Sequence, residues 1–216
     1  RLKDIDGADS KVREKVGLML MLMQGTLFTD VPGQGHRLSQ ARVSAELLYN
    51  RYDWTMLCMA TALLLALLLA LSTRPRLQWC GLPAGMLHGA LALLLTLLMG
   101  LRWYIAGHIP LSNGYETMLF VSLCLTCGTL PAARLRLRAT GALATACMMM
   151  VAHLGEINPQ ITSLMPVLHS PWLSAHVSII MVSYALLALS MVERSLLRPA
   201  VLCLAAGIFL GAVWAN

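Results

Sequence analysis

Apolar residues in this chain come in long blocks separated by short polar connectors. Residues 54–72 carry no charge, and the next charged residue is Arg74. Comparable blocks cover about 81–101, 117–130, 140–154, 173–192 and 199–214. A bilayer hydrocarbon core about 30 Å thick is crossed by ~20 helical residues, so each block reads as a span, the third and fourth being short. Within lipid the backbone must be helical, because each unpaired amide there costs several kcal/mol. The expected fold is therefore all-α: a polytopic transmembrane helical bundle of about six spans.

Residues 1–53 follow a different pattern. Charges of both signs mix over 1–15, a Met- and Leu-rich patch covers 16–23, and a polar stretch runs over 29–50. The patch is too short to cross a bilayer and is expected to dock on the membrane face or on a partner. The chain is thus read as a soluble amino-terminal arm, 1–53, followed by a transmembrane domain, 54–216. It starts at Arg1 with no visible signal peptide, which points to a piece of a longer polypeptide.

Composition agrees with the pattern. Apolar residues make up 58% of the chain and charged residues 12%, with a mean hydropathy of +0.70, well outside the range of soluble domains. The net charge of +6 does not indicate nucleic-acid binding, because the arginines sit in connectors. Arg74 and Arg76 lie in the first connector, Arg134, Arg136 and Arg138 in the third, Arg194 and Arg198 in the fifth. Only Arg102 borders the second, and the fourth has none. The positive-inside rule then turns the odd connectors to the cytoplasm and sends residues 1–53, the loops near 108–116 and 156–172, and Asn216 outward. Trp54, Trp79, Trp103, Trp172 and Trp214 fall at span ends, as interfacial anchors do. The six cysteines are scattered and suggest no disulfide framework.

Candidate chemistry sits in the outward loops. The first contains Gly107, Pro110, Asn113 and Gly114, all turn formers, followed by Tyr115 and Glu116. Glu116 opens the third span, where a carboxylate also serves simple helix-terminus electrostatics. In the second, Pro171 and Trp172 introduce the fifth span and His176 lies about one turn in. A neutral imidazole there can ligate a metal or haem iron, or can hydrogen-bond a neighbouring helix. His88, inside the second span, is a functional candidate as an intramembrane ionisable group, or a helix–helix hydrogen-bonding residue. Cys124 and Cys127 share a helix face but read as packing, as do Met148 to Met150. His153 reads as interfacial, and His36, His108 and His169 show no partner in sequence.

These loops resemble those of the CcsA family of cytochrome c biogenesis proteins, the system II haem-handling machinery, over about residues 45–216. The carrying motifs are Gly107-x-x-Pro110-x-x-Asn113-x-Tyr115-Glu116, then Leu164-Met-Pro-Val-Leu with Trp172-Leu-Ser-Ala-His176 and Ser183-Tyr184, and then Gly211-Ala-Val-Trp214-Ala-Asn216. The resemblance implies that His176 is an axial ligand of haem iron on the extracytoplasmic side of a bacterial cytoplasmic membrane. Trp172 lies beside it, and Trp214 stands at the threshold of a tryptophan-rich haem-binding segment. Haem is the implied cofactor; a CcsB- or ResB-type membrane protein and apocytochrome c are the implied partners, with no nucleic acid. The implied reaction joins haem vinyl groups to the thiols of a C-x-x-C-H acceptor. The family's tryptophan-rich core, its second external histidine and its membrane-embedded histidine fall after Asn216. The stretch is therefore read as partial and inactive alone. Arg102 is placed to pair with a haem propionate or to snorkel at the interface. The alternative reading is a transporter for haem or another small molecule that does no bond chemistry.

Overall fold

In the computed structural model, residues 40–155 and 171–215 are described. His36, His169, Asn216, the 164–168 motif and the arm before residue 40 lie outside them. The chain divides into two compact units, 1–43 and 44–216, and the second holds the helical bundle.

Seven α-helices make up the described structure: α1 Gln40–Asn50, α2 Trp54–Ser72, α3 Gly81–Ala106, α4 Gly114–Thr129, α5 Leu135–Leu154, α6 Pro171–Ser190 and α7 Leu197–Ala215. Short 3-10 turns, Pro75–Cys80 and Arg194–Leu196, lead into α3 and α7. Helices α2 to α7 occupy the six expected spans, and five of them are long and apolar enough to cross a membrane. The exception is α4, whose 16 residues rise about 24 Å. Two boundaries differ from expectation for visible reasons. Helix α4 starts three residues early because the Asn113 side chain caps it, accepting from the Glu116 amide at 2.8 Å. Helix α5 starts five residues early, taking Arg136 and Arg138 out of the connector and into its first turn.

The helices are apolar all round, and packing selects which face turns inward. On α2 the buried positions are Thr55, Cys58, Ala62, Leu65, Leu69 and Ser72, a single stripe at helical spacing. Leu57, Leu63, Leu64 and Leu67 of the same helix are exposed, as expected of a lipid-facing side. Helix α2 packs chiefly on α5 and α3, α4 on α5, and α6 on α7. Small residues permit close approach: a Cβ on Gly141 of α5 would lie 2.5 Å from Thr129 Oγ1 of α4.

Polar contacts assign the helix termini to two ends. At one, Thr55 of α2 meets Tyr115 of α4, Arg102 of α3 meets Glu116 of α4, and His176 of α6 meets Gly207 of α7. His153 near the end of α5 lies 3.8 Å from Asp53 beside α2. At the other end, Arg134 before α5 pairs with Glu193 after α6.

Candidate functional site

The motif loop between α3 and α4 is built from its own sequence. Gly107 closes α3 at φ 72°, a left-handed conformation that favours glycine, and its amide donates to the Trp103 carbonyl at 2.9 Å. Pro110 is buried. Asn113 caps α4, and Glu116 turns back into the loop. Its Oε2 accepts from the Ser112 amide at 2.8 Å and from the Ser112 hydroxyl at 2.7 Å. The other oxygen, Oε1, accepts from Arg102 Nη2 at 3.0 Å and from Nε at 3.3 Å.

Arg102 is fully buried and Glu116 nearly so. Neither alternative raised for Arg102, a free propionate partner or a snorkelling arginine, describes its position: the guanidinium is inside the bundle and its charge is met by Glu116. It also donates to Tyr49 Oη at 2.9 Å and stacks over the rings of Tyr115 and Tyr49, at 4.9 and 5.4 Å to their centroids. Thr55 Oγ1 donates to Tyr115 Oη at 3.1 Å. An ion pair in low dielectric needs its remaining hydrogen-bonding capacity filled, and Tyr49, Ser112 and the two aromatic faces do this here. Glu116 therefore joins α3, α4 and the loop, a larger part than helix-terminus electrostatics alone.

Against this loop lies an open groove of about 410 Å³, lined by Ile109, Leu111, Ser112 and Asn113 and, from α6, Leu173 and Val177. The walls are mainly apolar, with the Ser112 and Asn113 polar groups at one side. His108 Nδ1 donates to the Ile109 carbonyl at 3.1 Å; its Nε2 is buried without a hydrogen-bond partner among the described residues.

His176 is half-buried at the same end of the bundle. Its Nδ1 lies 2.7 Å from the Gly207 carbonyl oxygen. A carbonyl only accepts, so Nδ1 carries the proton and donates, and in the neutral ring the Nε2 lone pair is left available. Metal-bound histidines are commonly held in this way through the distal nitrogen. Helix α7 receives the ring at a glycine: a Cβ on Gly211 would lie 2.6 Å from Cε1 and 2.7 Å from Nδ1 of His176. Trp172 and Trp214, at the adjoining termini of α6 and α7, are 56% and 40% exposed. They sit at the rim, with their rings available to an apolar ligand or to the interface.

The other sequence candidates do not join this set. His88 is fully buried and saturated: Nε2 donates to the Thr126 carbonyl at 3.0 Å, and Nδ1 accepts from Arg138 Nε at 3.3 Å. Of its two readings, the helix–helix hydrogen bond is the one realised. Cys124 and Cys127 are free thiols. Tyr49 and Gly207 were absent from the sequence reading, and Gly211 figured there only as the start of a motif, not as part of a slot for His176. The sequence sign of the slot was the Gly-x-x-x-Gly pair Gly207 and Gly211 in the last span.

Comparison with known proteins places residues 111–196 in a match to the family described as Cytochrome C assembly protein. "Protein NrfI" of Wolinella succinogenes is 33% identical over 82% of this chain and 24% of its own length. "Cytochrome c biogenesis protein CcsA" of Synechococcus sp. strain WH7803 is 39% identical over 54% of this chain and 37% of its own. The Chlamydomonas reinhardtii protein of the same name is 34% identical over 46% and 31%. The chain thus spans between a quarter and two fifths of the length of these relatives.

Proposed function

This chain belongs to the cytochrome c assembly proteins of the CcsA type, and from that membership we propose that it holds haem at the end of the bundle bearing the motif loop, for attachment to apocytochrome c. The observation that carries the proposal is the state of His176. Its Nδ1–H is committed to the Gly207 carbonyl, which leaves the Nε2 lone pair as the donor of the neutral ring.

The surroundings suit a large apolar ring with anionic edges. The groove beside the loop offers aliphatic walls, and Trp172 and Trp214 flank the helix ends that carry the histidine slot. Haem would supply the vinyl carbons to which acceptor thiols add, sulfur bonding one carbon and hydrogen the other. The residues of this chain contribute position. The His176 imidazole would hold the iron, and the Glu116-anchored loop, held through Ser112, would provide a wall of constant shape. Holding two reactants in such register is worth on the order of 7–11 kcal/mol of a barrier, and the chemistry itself belongs to the cofactor.

In this reading the motif-loop end faces the extracytoplasmic side. Seven arginines border the opposite end, which the positive-inside rule turns to the cytoplasm. A ResB-type membrane protein would bring the apocytochrome, and the whole synthase would include sequence beyond the present stretch.

The test is His176→Ala in the full-length protein, with haem content read from the absorption spectrum after purification. Co-purified haem is expected to fall severalfold, with partial recovery when imidazole is supplied. Unchanged haem and an unchanged spectrum would remove His176 as the ligand. Haem retained normally by the wild type with no holocytochrome formed, when partner and acceptor are both present, would favour haem transport over attachment.

A further inference from the structure

The opposite end of the bundle holds a second concave site, unrelated to His176. A groove of about 430 Å³ opens between the end of α2, the start of α5 and the turn after α6, lined by Thr73, Arg134, Leu135, Arg136, Leu137 and Val192 with Glu193. Arg134, Arg136 and Val192 are exposed, Leu135 is half-buried, and Leu137 is buried among the helices. Arg134 pairs with Glu193. Arg136 is exposed and forms no ion pair among the described residues. Arg74 and Arg76 adjoin Thr73 in sequence, and Arg194 and Arg198 follow Glu193; all four are exposed. One carboxylate, Glu193, is set among seven arginines, of which Arg138 is already engaged with His88.

We infer that this groove is a binding site for an anionic phospholipid, its phosphate held by Arg134 and Arg136 and the upper part of its acyl chains lying on Leu135 and Val192. Three observations select a lipid over a soluble anion. The site lies at the ends of helices long and apolar enough to span a bilayer. Three of its seven lining residues are aliphatic, which a free phosphate does not need. The excess positive charge is spread along one rim, matching the surface of an anionic leaflet, where each basic residue contributes about 1 kcal/mol. Guanidinium groups also bind phosphate bidentately, so a headgroup can share Arg134 with Glu193 or displace that carboxylate. The bound lipid would bridge the α5 start to the α6–α7 turn, joining the two helix groups at the end remote from the motif loop.

The experiment is native mass spectrometry of the full-length protein extracted from bilayers of equal phosphatidylglycerol and phosphatidylcholine. Wild-type protein is expected to retain phosphatidylglycerol preferentially. Arg136→Gln should lower that preference about fivefold, and Arg134→Gln with Arg136→Gln about 25-fold; Arg136→Lys should keep most of it. Arg136→Gln breaks no ion pair, so it tests the site even if the double variant fails to accumulate. Equal retention of both lipids by the wild type would overturn the proposal. So would an unchanged preference in Arg136→Gln, or displacement of the lipid by millimolar inorganic phosphate, which would mark the site as one for a free anion.

Discussion

At the residue scale, the most constrained position in the candidate haem site is a glycine. Gly211 lies against the imidazole of His176 so closely that any Cβ would sit 2.6 Å from Cε1, well inside van der Waals contact. The ring cannot yield away from α7, because Nδ1 is tied to Gly207 on that helix. Gly211→Ala must therefore break the tether or push the helices apart. In the full-length protein it is expected to lower haem retention severalfold and to shift the Soret band of what remains, since the imidazole would have lost its Nδ1 hydrogen bond to Gly207. Unchanged spectrum and retention would show that the slot does not orient the ligand. Sequence could point to His176, because an imidazole one turn into an apolar span is conspicuous. It could not point to Gly211, 35 residues away, because a glycine in an apolar span does not reveal which side chain its notch admits.

At the element scale, the loop between α3 and α4 is held by charge rather than by apolar packing. Helix α4 is short for a span, so its loop lies near the apolar boundary, where unpaired backbone groups are costly. Arg102 and Glu116 meet across that turn, and Glu116 in turn fixes Ser112. Removing Arg102 leaves a carboxylate buried without its cation, at a cost of about 3–5 kcal/mol. Arg102→Gln should thus lower the melting temperature of the full-length protein markedly. Arg102→Gln combined with Glu116→Gln should recover a large part of the loss, since two neutral groups of similar shape can still hydrogen-bond. A double variant no more stable than Arg102→Gln would show that the pair does not act as a unit. The turn formers made the loop legible in sequence, as uninterrupted apolar runs made the helices legible. The ion pair was less so: an arginine at a span edge looks the same whether it snorkels outward or turns in. Tyr49, preceding the first span in an otherwise polar stretch, gave no sign that its hydroxyl would meet a buried guanidinium.

At the scale of the whole molecule, the arrangement is a polarity along the bundle axis. The motif loop, the histidine slot and the Trp172 and Trp214 rims occupy one end, while arginines from three connectors occupy the other. The proposal of a haem site and an arginine-rich end on opposite membrane faces is a statement about topology, and it can be tested without haem. Ile109 is 42% exposed at the first end, and Ser195 is exposed at the second. Ile109→Cys should react with a membrane-impermeant maleimide on intact cells with a permeable outer layer. Ser195→Cys should react only after the cytoplasmic membrane is opened. Native thiols set the background, and those exposed in the helices, Cys127 and Cys147, lie within the apolar helices, where an ionic reagent partitions weakly. The reverse labelling pattern would invert the bundle and place His176 toward the cytoplasm. Haem attachment at His176 would then be excluded for an exported apocytochrome, whereas the Nδ1 tether, the Arg102–Glu116 pair and the arginine-rimmed groove would stand unchanged. The function therefore depends on the direction of the bundle as much as on the geometry of its site.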